Sequence, residues 1–310
     1  MTTASTHERV PLATQAALIA GDIKLAHSIF ALPFALLGAF LGAPRDDADA
    51  IRWGVFAGQL ALVLVCMVTA RTWAMLVNRI ADRRIDAGNE RTARRVFASG
   101  ALDAKTGLIW LAGSAIAFFV GCAGFLVFFG NPWPLIGGAP ILGWLTLYSF
   151  TKRFTALCHL VLGVALAISP IAAAVAAGGI EAATAPVLWL AAMVALWVAG
   201  FDVIYALQDL DFDRSRGLKS IPAALGWRGA VWASRAMHAG TIAALVLAWL
   251  ASERLGIGFS AAVVAAAGLL VVEHAVLAVR GKEGIGPAFF TANGVLGLVV
   301  GAIGIGSVLV

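Results

Sequence analysis

Long apolar stretches recur along the whole chain and alternate with short polar segments. A helix needs about 20 mostly apolar residues to cross the hydrocarbon core of a bilayer. Because the backbone must satisfy its own hydrogen bonds inside lipid, such stretches favour helices. The pattern predicts nine membrane-spanning helices, at residues 27–43, 53–77, 107–130, 132–150, 155–178, 185–208, 229–251, 256–279 and 286–309.

The composition agrees with a chain that lies in lipid. It is 61% hydrophobic and 13% charged, whereas soluble domains have roughly a quarter charged residues. The expected fold is an all-α, polytopic membrane protein with one domain over residues 1–310. Residues 1–24 are expected to lie in the cytoplasm or along the membrane surface.

The net charge of +5 at pH 7 raises the question of a nucleic-acid partner. With nine helices, the N-terminus and every second loop lie on one side of the membrane, and these segments hold most of the Lys and Arg residues. The opposite side has only Arg45, Arg52 and Arg254. Cytoplasmic loops of membrane proteins are typically enriched in basic residues. The distribution predicts a plasma (inner) membrane protein with a cytoplasmic N-terminus, an external C-terminus and no nucleic-acid partner.

Acidic residues recur at two helix ends, in "NRIADRRID" and "YALQDLDFD". On an α-helix, a step of four residues turns by about 40° and rises about 6 Å, so residues at this spacing share one face. The first stripe consists of Asn78, Asp82 and Asp86. The second stripe consists of Tyr205, Asp209 and Asp213, with Asp202 nearly one turn deeper. Both follow predicted helices that run in the same direction, which suggests a parallel repeat of helices 1–4 and 5–8.

Two acidic stripes that face each other repel unless a cation lies between them. Charges at membrane depth cost several kcal/mol and usually face a cavity or a partner. Arginine could supply the positive charge, but oxygen ligands that leave room for water suit Mg²⁺ better. Lys and Arg beyond each stripe would bind phosphate oxygens. The pattern indicates a diphosphate site with a hydrocarbon tail in the membrane. The alternative is ordinary helical ion pairs, such as Asp82 with Arg79 and Asp86 with Arg83.

On these motifs the chain resembles the UbiA-type intramembrane aromatic prenyltransferases, in particular the 4-hydroxybenzoate polyprenyltransferase branch. The family's N-x-x-x-D-x-x-x-D and D-x-x-x-D motifs match the two stripes, and its Y-x-x-x-K element matches "YSFTK" at Tyr148 and Lys152. The resemblance implies nine helices around a central cavity that opens to the cytoplasmic face and has a side portal to membrane lipid. It also implies Mg²⁺, an isoprenyl diphosphate and an aromatic acid acceptor, in ubiquinone or related quinone biosynthesis.

The resemblance and the residue types together assign roles to particular side chains. The expected metal ligands are Asn78, Asp82, Asp86, Asp209 and Asp213. The expected diphosphate-binding residues are Arg79, Tyr148, Lys152, Arg153 and Lys219. The expected catalytic residues are Asp202, which would accept the phenol hydrogen bond or proton, with Tyr205 and Arg71. The expected acceptor-binding residues are Lys24, His27 and Arg71, although Arg71 could instead pair with Asp202.

Other functions remain open at the level of sequence. The acceptor could be a naphthoate in menaquinone synthesis, since a related branch is similar over the same segments. A phosphoalcohol transferase would need a denser Asp–Gly–Ala–Arg motif, which the chain lacks. A secondary transporter usually places its acidic residues near the bilayer midplane. His159, His238 and Asn293 are expected to be hydrogen-bond partners between helices.

Overall fold

The computed structural model describes residues 10–23, 30–287 and 291–310, which form a bundle of α-helices. The helices are α1 (Leu12–Asp22), α2 (Leu32–Leu41), α3 (Trp53–Asp86), α4 (Ala104–Phe129), α5 (Trp133–Thr151), α6 (Cys158–Gly178), α7 (Ala185–Ala206), α8 (Leu210–Ser215), α9 (Ile221–Leu250), α10 (Ser260–Arg280), α11 (Ile285–Pro287) and α12 (Asn293–Leu309). The expected all-α fold is confirmed.

Helix length and apolarity identify the segments that cross the membrane. In the described part of the chain, six helical segments are long and apolar enough to span a bilayer, and they include α3, α4, α6, α7, α9 and α10. The apolar helices α2 and α12 are shorter, with 10 and 17 residues. The α5 helix has 19 residues and contains Pro140. The chain is therefore an integral membrane protein, but the predicted number of nine spanning helices is not confirmed.

The centre of the bundle is built on α7. Its Trp197 is fully buried and donates a hydrogen bond from Nε1 to Oδ1 of Asn293 on α12, at 2.6 Å. The rings of Phe34 and Phe201 pack against the indole with centroid distances of 5.2 and 5.1 Å. Asn293 thus links two helices, as expected from the sequence. The buried indole N–H needs such an acceptor, because an unpaired polar group inside the bundle is costly.

Glycines allow the central helices to approach closely. A Cβ atom added at Gly163 on α6 would lie 2.1 Å from the carbonyl oxygen of Ala195 on α7. A Cβ added at Gly38 on α2 would lie 2.2 Å from the carbonyl oxygen of Pro170 on α6. Small residues at such crossings are a common way for membrane helices to pack their backbones together.

We expect Gly163→Ala to destabilise the protein by about 1–3 kcal/mol, because a methyl group at this position overpacks the contact between α6 and α7. The measurement is the apparent melting temperature of the purified protein in detergent. The matched control is Gly113→Ala on α4, where no atom lies within 4 Å of the added Cβ. A Gly163→Ala protein that melts at the control temperature would contradict the packing argument.

The two stripes differ in backbone conformation. The first stripe lies entirely on α3, which continues as one helix to Asp86. The second stripe does not lie on one α-helix: Tyr205 is on α7, Asp209 is in a 3-10 turn at Leu207–Asp209, and Asp213 is on α8. The expectation of one uninterrupted α-helix is therefore wrong for the second stripe, because a 3-10 turn, which winds more tightly, separates α7 from α8.

Candidate active site

A cavity of about 180 Å³ lies where α3, α5, α6, α7 and α8 end or begin, and we call it the stripe cavity. Both stripes line it. The predicted site residues in its lining are Asn78, Asp82, Asp86, Tyr148, Lys152, Asp202, Tyr205, Asp209 and Asp213. The two acidic stripes, 127 residues apart in sequence from Asp82 to Asp209, therefore meet in one place.

Asp82 is the most enclosed carboxylate of the first stripe, with a side chain only 1% exposed. Its Oδ2 lies 2.6 Å from Nζ of Lys152, and its Oδ1 lies 3.0 Å from Nη2 of Arg153. Asn78 donates from Nδ2 to the same carboxylate at 3.4 Å. Two cations from the end of α5 thus stabilise this charge away from bulk water.

Asp86, one turn further along α3, is bound by the loop that follows. Nη1 of Arg95 lies 2.8 Å from each carboxylate oxygen of Asp86. The hydroxyl of Thr92 donates to the backbone oxygen of Asp86 at 3.1 Å. The loop after α3 is therefore held against the helix end by the acidic residue that terminates it.

The same loop also reaches the second stripe. Nε of Arg91 donates to Oδ1 of Asp209 at 3.0 Å, and its Nη1 donates to the hydroxyl of Tyr205 at 3.2 Å. Nδ2 of Asn89 donates to Oδ1 of Asp209 at 3.1 Å. On the opposite side of the cavity, the hydroxyl of Ser220 donates to Oδ2 of Asp213 at 3.0 Å.

The local ion pairs considered from the sequence are not the ones that form. Arg79 lies with Nε 3.2 Å from Oδ2 of Asp22 on α1, and Nη1 of Arg83 donates to the carbonyl of Ile80 at 2.8 Å. Asp82 and Asp86 instead take partners from α5 and from the loop after α3. The acidic stripe is thus not an ordinary solvated helix end with pairs along its own surface.

Asp202 is partly exposed and pairs with a buried histidine. Its Oδ2 lies 2.7 Å from Nδ1 of His159 at the start of α6. The backbone N–H of Ile221 donates to Nε2 of the same ring at 3.3 Å. Since Nε2 accepts a hydrogen bond, we assign a proton to Nδ1, which then donates to Asp202. His159 is a link between helices, as expected, and it also lines the stripe cavity.

Several predicted site residues lie elsewhere. In the part of the chain that the structure describes, the side chains of Arg71, Arg79, Arg153 and Lys219 are not among those lining the stripe cavity. Arg79 and Arg153 contact the first stripe from outside it, through Asn78 and Asp82. Lys219 contacts a cavity-lining residue through its backbone: its N–H donates to the carbonyl of Lys152 at 2.7 Å. The predicted acceptor-binding residues Lys24 and His27 lie outside the described residues.

The cavity lining also includes four polar residues for which the sequence predicted no individual role, Asn89, Arg91, Arg95 and Ser220, and His159, for which it predicted only a link between helices. For two of these residues, Arg91 and Arg95, the sequence contains a pattern that could have predicted a role. Arg91 and Arg95 follow the first stripe in "NERTARR" and are four residues apart, which repeats the spacing of the acidic residues that they bind.

The donor chemistry of the stripe cavity fits Mg²⁺. Five Asp side chains and the Asn78 amide face it, against three Lys and Arg side chains, so negative charge is in excess. Hard oxygen ligands of this kind suit that ion. In this structure each stripe carboxylate is bound by a basic or polar side chain. No group of three His, Cys, Asp or Glu residues within the described ranges is close enough to hold a metal ion.

Comparison with known proteins gives a consistent result. The model of the UbiA prenyltransferase family matches residues 31–295. A 4-hydroxybenzoate octaprenyltransferase from Saccharophagus degradans is 31% identical over 248 residues, which cover 78% of this chain and 77% of that protein. The corresponding enzyme from Nitrosomonas europaea is 30% identical over 76% of this chain and 77% of its own length.

Solved structures share the fold. A UbiA homologue from Aeropyrum pernix K1 is 34% identical and superposes with a TM-score of 0.76 over 90% of this chain and 97% of its own. A UbiA homologue from Archaeoglobus fulgidus, solved bound to GPP and Mg²⁺, has a TM-score of 0.67 at 15% identity, over 94% of this chain and all of its own. The second similarity concerns the fold alone.

Proposed function

The chain belongs to the UbiA prenyltransferase family, and we propose that it transfers an isoprenyl chain from an isoprenyl diphosphate to 4-hydroxybenzoate in a Mg²⁺-dependent reaction. The relatives named as 4-hydroxybenzoate octaprenyltransferases support this acceptor and a place in ubiquinone biosynthesis. The observation that carries the proposal is that two acidic stripes and three basic side chains share one cavity. A diphosphate needs both groups, since the acids hold its metal and the bases hold its oxygens.

We propose that Asn78, Asp82, Asp86, Asp209 and Asp213 hold Mg²⁺. When bound, the ion neutralises charge on the departing diphosphate. Lys152, Arg91 and Arg95 now contact carboxylates of the stripes. They would transfer these contacts to phosphate oxygens, and would stabilise the leaving group electrostatically without proton transfer.

The chemistry at carbon follows from this arrangement. The C–O bond of the donor breaks, and its electron pair leaves with the diphosphate. The ring carbon beside the phenol hydroxyl supplies the pair for the new C–C bond, and the ring then loses its proton. Asp202 would accept the hydrogen bond or proton of the phenol. His159 is a positioning residue in this proposal, because its Nδ1–H fixes the carboxylate of Asp202.

The stripe cavity is proposed to open to the cytoplasm. The loop after α3, which holds the Arg residues on its rim, is one of the most basic segments of the chain. Basic loops favour the cytoplasmic side. The N-terminus would then lie in the cytoplasm and the C-terminus outside.

The test is a product assay with the purified protein, geranyl diphosphate as donor and 4-hydroxybenzoate as acceptor. We expect a prenylated benzoate and an equal amount of diphosphate, both lost when EDTA removes Mg²⁺ and both restored by added Mg²⁺. Product with a hydroxynaphthoate and not with 4-hydroxybenzoate would overturn the proposed acceptor. Absence of product with any aromatic acid would contradict the proposed reaction.

A further inference from the structure

A second cavity, of about 300 Å³, lies between α9 and α10, and we call it the α9–α10 groove. Its charged and aromatic lining consists of Trp227, Arg228, Trp232, Arg235 and His274. None of these side chains lines the stripe cavity. Nothing in the proposed prenyl transfer uses them.

The groove lies at the same end of the bundle as the stripe cavity. Ser220, which lines the stripe cavity, immediately precedes α9. Gly226, with φ of 70°, interrupts that helix, and its regular part begins at Trp227. His274 is six residues before the end of α10, which is about 9 Å along the axis. This depth matches the headgroup region and the outermost part of the hydrocarbon core.

The two arginines of the groove lie on one face of α9, seven residues apart. The guanidinium of Arg235 lies 4.8 Å from the ring centre of Trp232, three residues nearer the start of the helix, so it is directed toward Arg228. Among the described residues, neither arginine forms an ion pair within 4.0 Å. Arg91 and Arg95 at this end of the bundle are paired with Asp residues. The groove therefore holds two cations that no carboxylate of the described residues neutralises.

The surface around the groove is apolar and exposed. Trp232 is 67% exposed, and Val271 and Val279 on α10 are 68% and 86% exposed. In a membrane protein such side chains face lipid, and Trp prefers the interface. The groove thus combines a cationic end with an apolar surface beside it. An anionic ligand with hydrocarbon chains satisfies both.

We propose that the α9–α10 groove binds the phosphate headgroup of an anionic glycerophospholipid, with the acyl chains along the exposed apolar surface of α9 and α10. Basic pockets between helices at the cytoplasmic interface are suited to such headgroups. A metal-bound diphosphate is a poorer match, because the described lining contains no carboxylate. A single phosphodiester anion is matched by Arg228 and Arg235.

The test is native mass spectrometry of the full chain with an equimolar mixture of phosphatidylglycerol and phosphatidylcholine. The wild-type protein is expected to retain phosphatidylglycerol in preference to phosphatidylcholine. In Arg228→Gln/Arg235→Gln the affinity for phosphatidylglycerol should fall roughly 10- to 30-fold, since each basic residue contributes about 1 kcal/mol. The matched control is Arg84→Gln/Arg280→Gln, which removes the same charge from exposed residues outside the groove. The control is expected to keep the wild-type preference.

Equal retention of the two lipids by wild type, or an unchanged preference in Arg228→Gln/Arg235→Gln, would overturn the proposal. Displacement of phosphatidylglycerol by millimolar inorganic phosphate would overturn the lipid as ligand and indicate a bare phosphate site. A measurement on wild type alone guards against misfolding of the variant: the bound phosphatidylglycerol should decrease as ionic strength rises. A salt-independent signal would also contradict the proposal.

Discussion

Asp82→Asn is expected to lower prenyl transfer by more than about 100-fold, because even residues that only support a metal ligand usually cost 10- to 100-fold when replaced. Asp82 is the least exposed carboxylate of the first stripe and contacts both Lys152 and Arg153. The amide keeps the size of the side chain but removes the charge that would hold Mg²⁺. The measurement is the initial rate of product formation at saturating donor, acceptor and Mg²⁺.

The matched control for Asp82→Asn is Asp211→Asn on α8. Asp211 lies two positions from both Asp209 and Asp213, yet its side chain is 80% exposed and its partner is Lys282, at 3.5 Å. An exposed pair of this kind contributes little to stability. The Asp211→Asn protein should therefore keep wild-type activity. A folded Asp82→Asn protein that is as active as Asp211→Asn would remove Asp82 from the metal site.

The first stripe could be predicted from sequence because it depends only on helix geometry. Asn78, Asp82 and Asp86 all lie on one uninterrupted helix, so the four-residue spacing places them on one face. The second stripe lines the same cavity, but its backbone conformation differs from that of the first stripe. The 3-10 turn at Leu207–Asp209 has no signal in the spacing of its residues, and the prediction of a continuous helix failed there.

The partners of the carboxylates could not be predicted, because they come from distant segments. Arg91 is 118 residues from Asp209, and Lys152 is 70 residues from Asp82. Helical periodicity carries information about neighbours three or four residues away, and the pairs that it suggested, with Arg79 and Arg83, do not form. Only the packing of α5 against α3, and of the loop after α3 against the end of α7, determines which basic side chain meets which acid.

The number of spanning helices was also only partly predictable from the sequence. Hydropathy identified the positions of the apolar segments, but it cannot give helix length. The segment predicted at 27–43 contains α2, which covers only Leu32–Leu41. The segment predicted at 286–309 contains α12, which begins at Asn293. Both helices are buried against the rest of the bundle, so their apolar character reflects helix contacts as well as contact with lipid.

The pairing of acids with bases in the stripe cavity has a consequence for binding. Removing five carboxylates from water would be costly without compensation. Basic side chains compensate for three of them in this structure, through Asp82, Asp86 and Asp209. A metal-bound diphosphate would bring its own cation to the carboxylates and its own anion to the bases. The exchange would keep the local charge nearly balanced, and the site would gain phosphate contacts without exposing an unpaired acid.

Asp202→Asn is expected to reduce turnover with the aromatic acceptor by roughly 10²- to 10⁴-fold, the usual contribution of a positioned acid or base. Asp202 precedes Asp209 by seven residues on the way out of the bundle, and His159 holds its carboxylate at 2.7 Å. In the proposed mechanism it meets the phenol and not the metal. The dissociation constant of the isoprenyl diphosphate, measured by titration in the presence of Mg²⁺, should therefore stay within about threefold of wild type. This split between donor affinity and turnover distinguishes Asp202 from the stripe residues.

His159→Gln provides the positioning control and should lose less turnover than Asp202→Asn, because it loosens the carboxylate but leaves its charge. Unchanged turnover in Asp202→Asn would exclude the role in proton acceptance, and a parallel loss of donor affinity would place Asp202 in the diphosphate site.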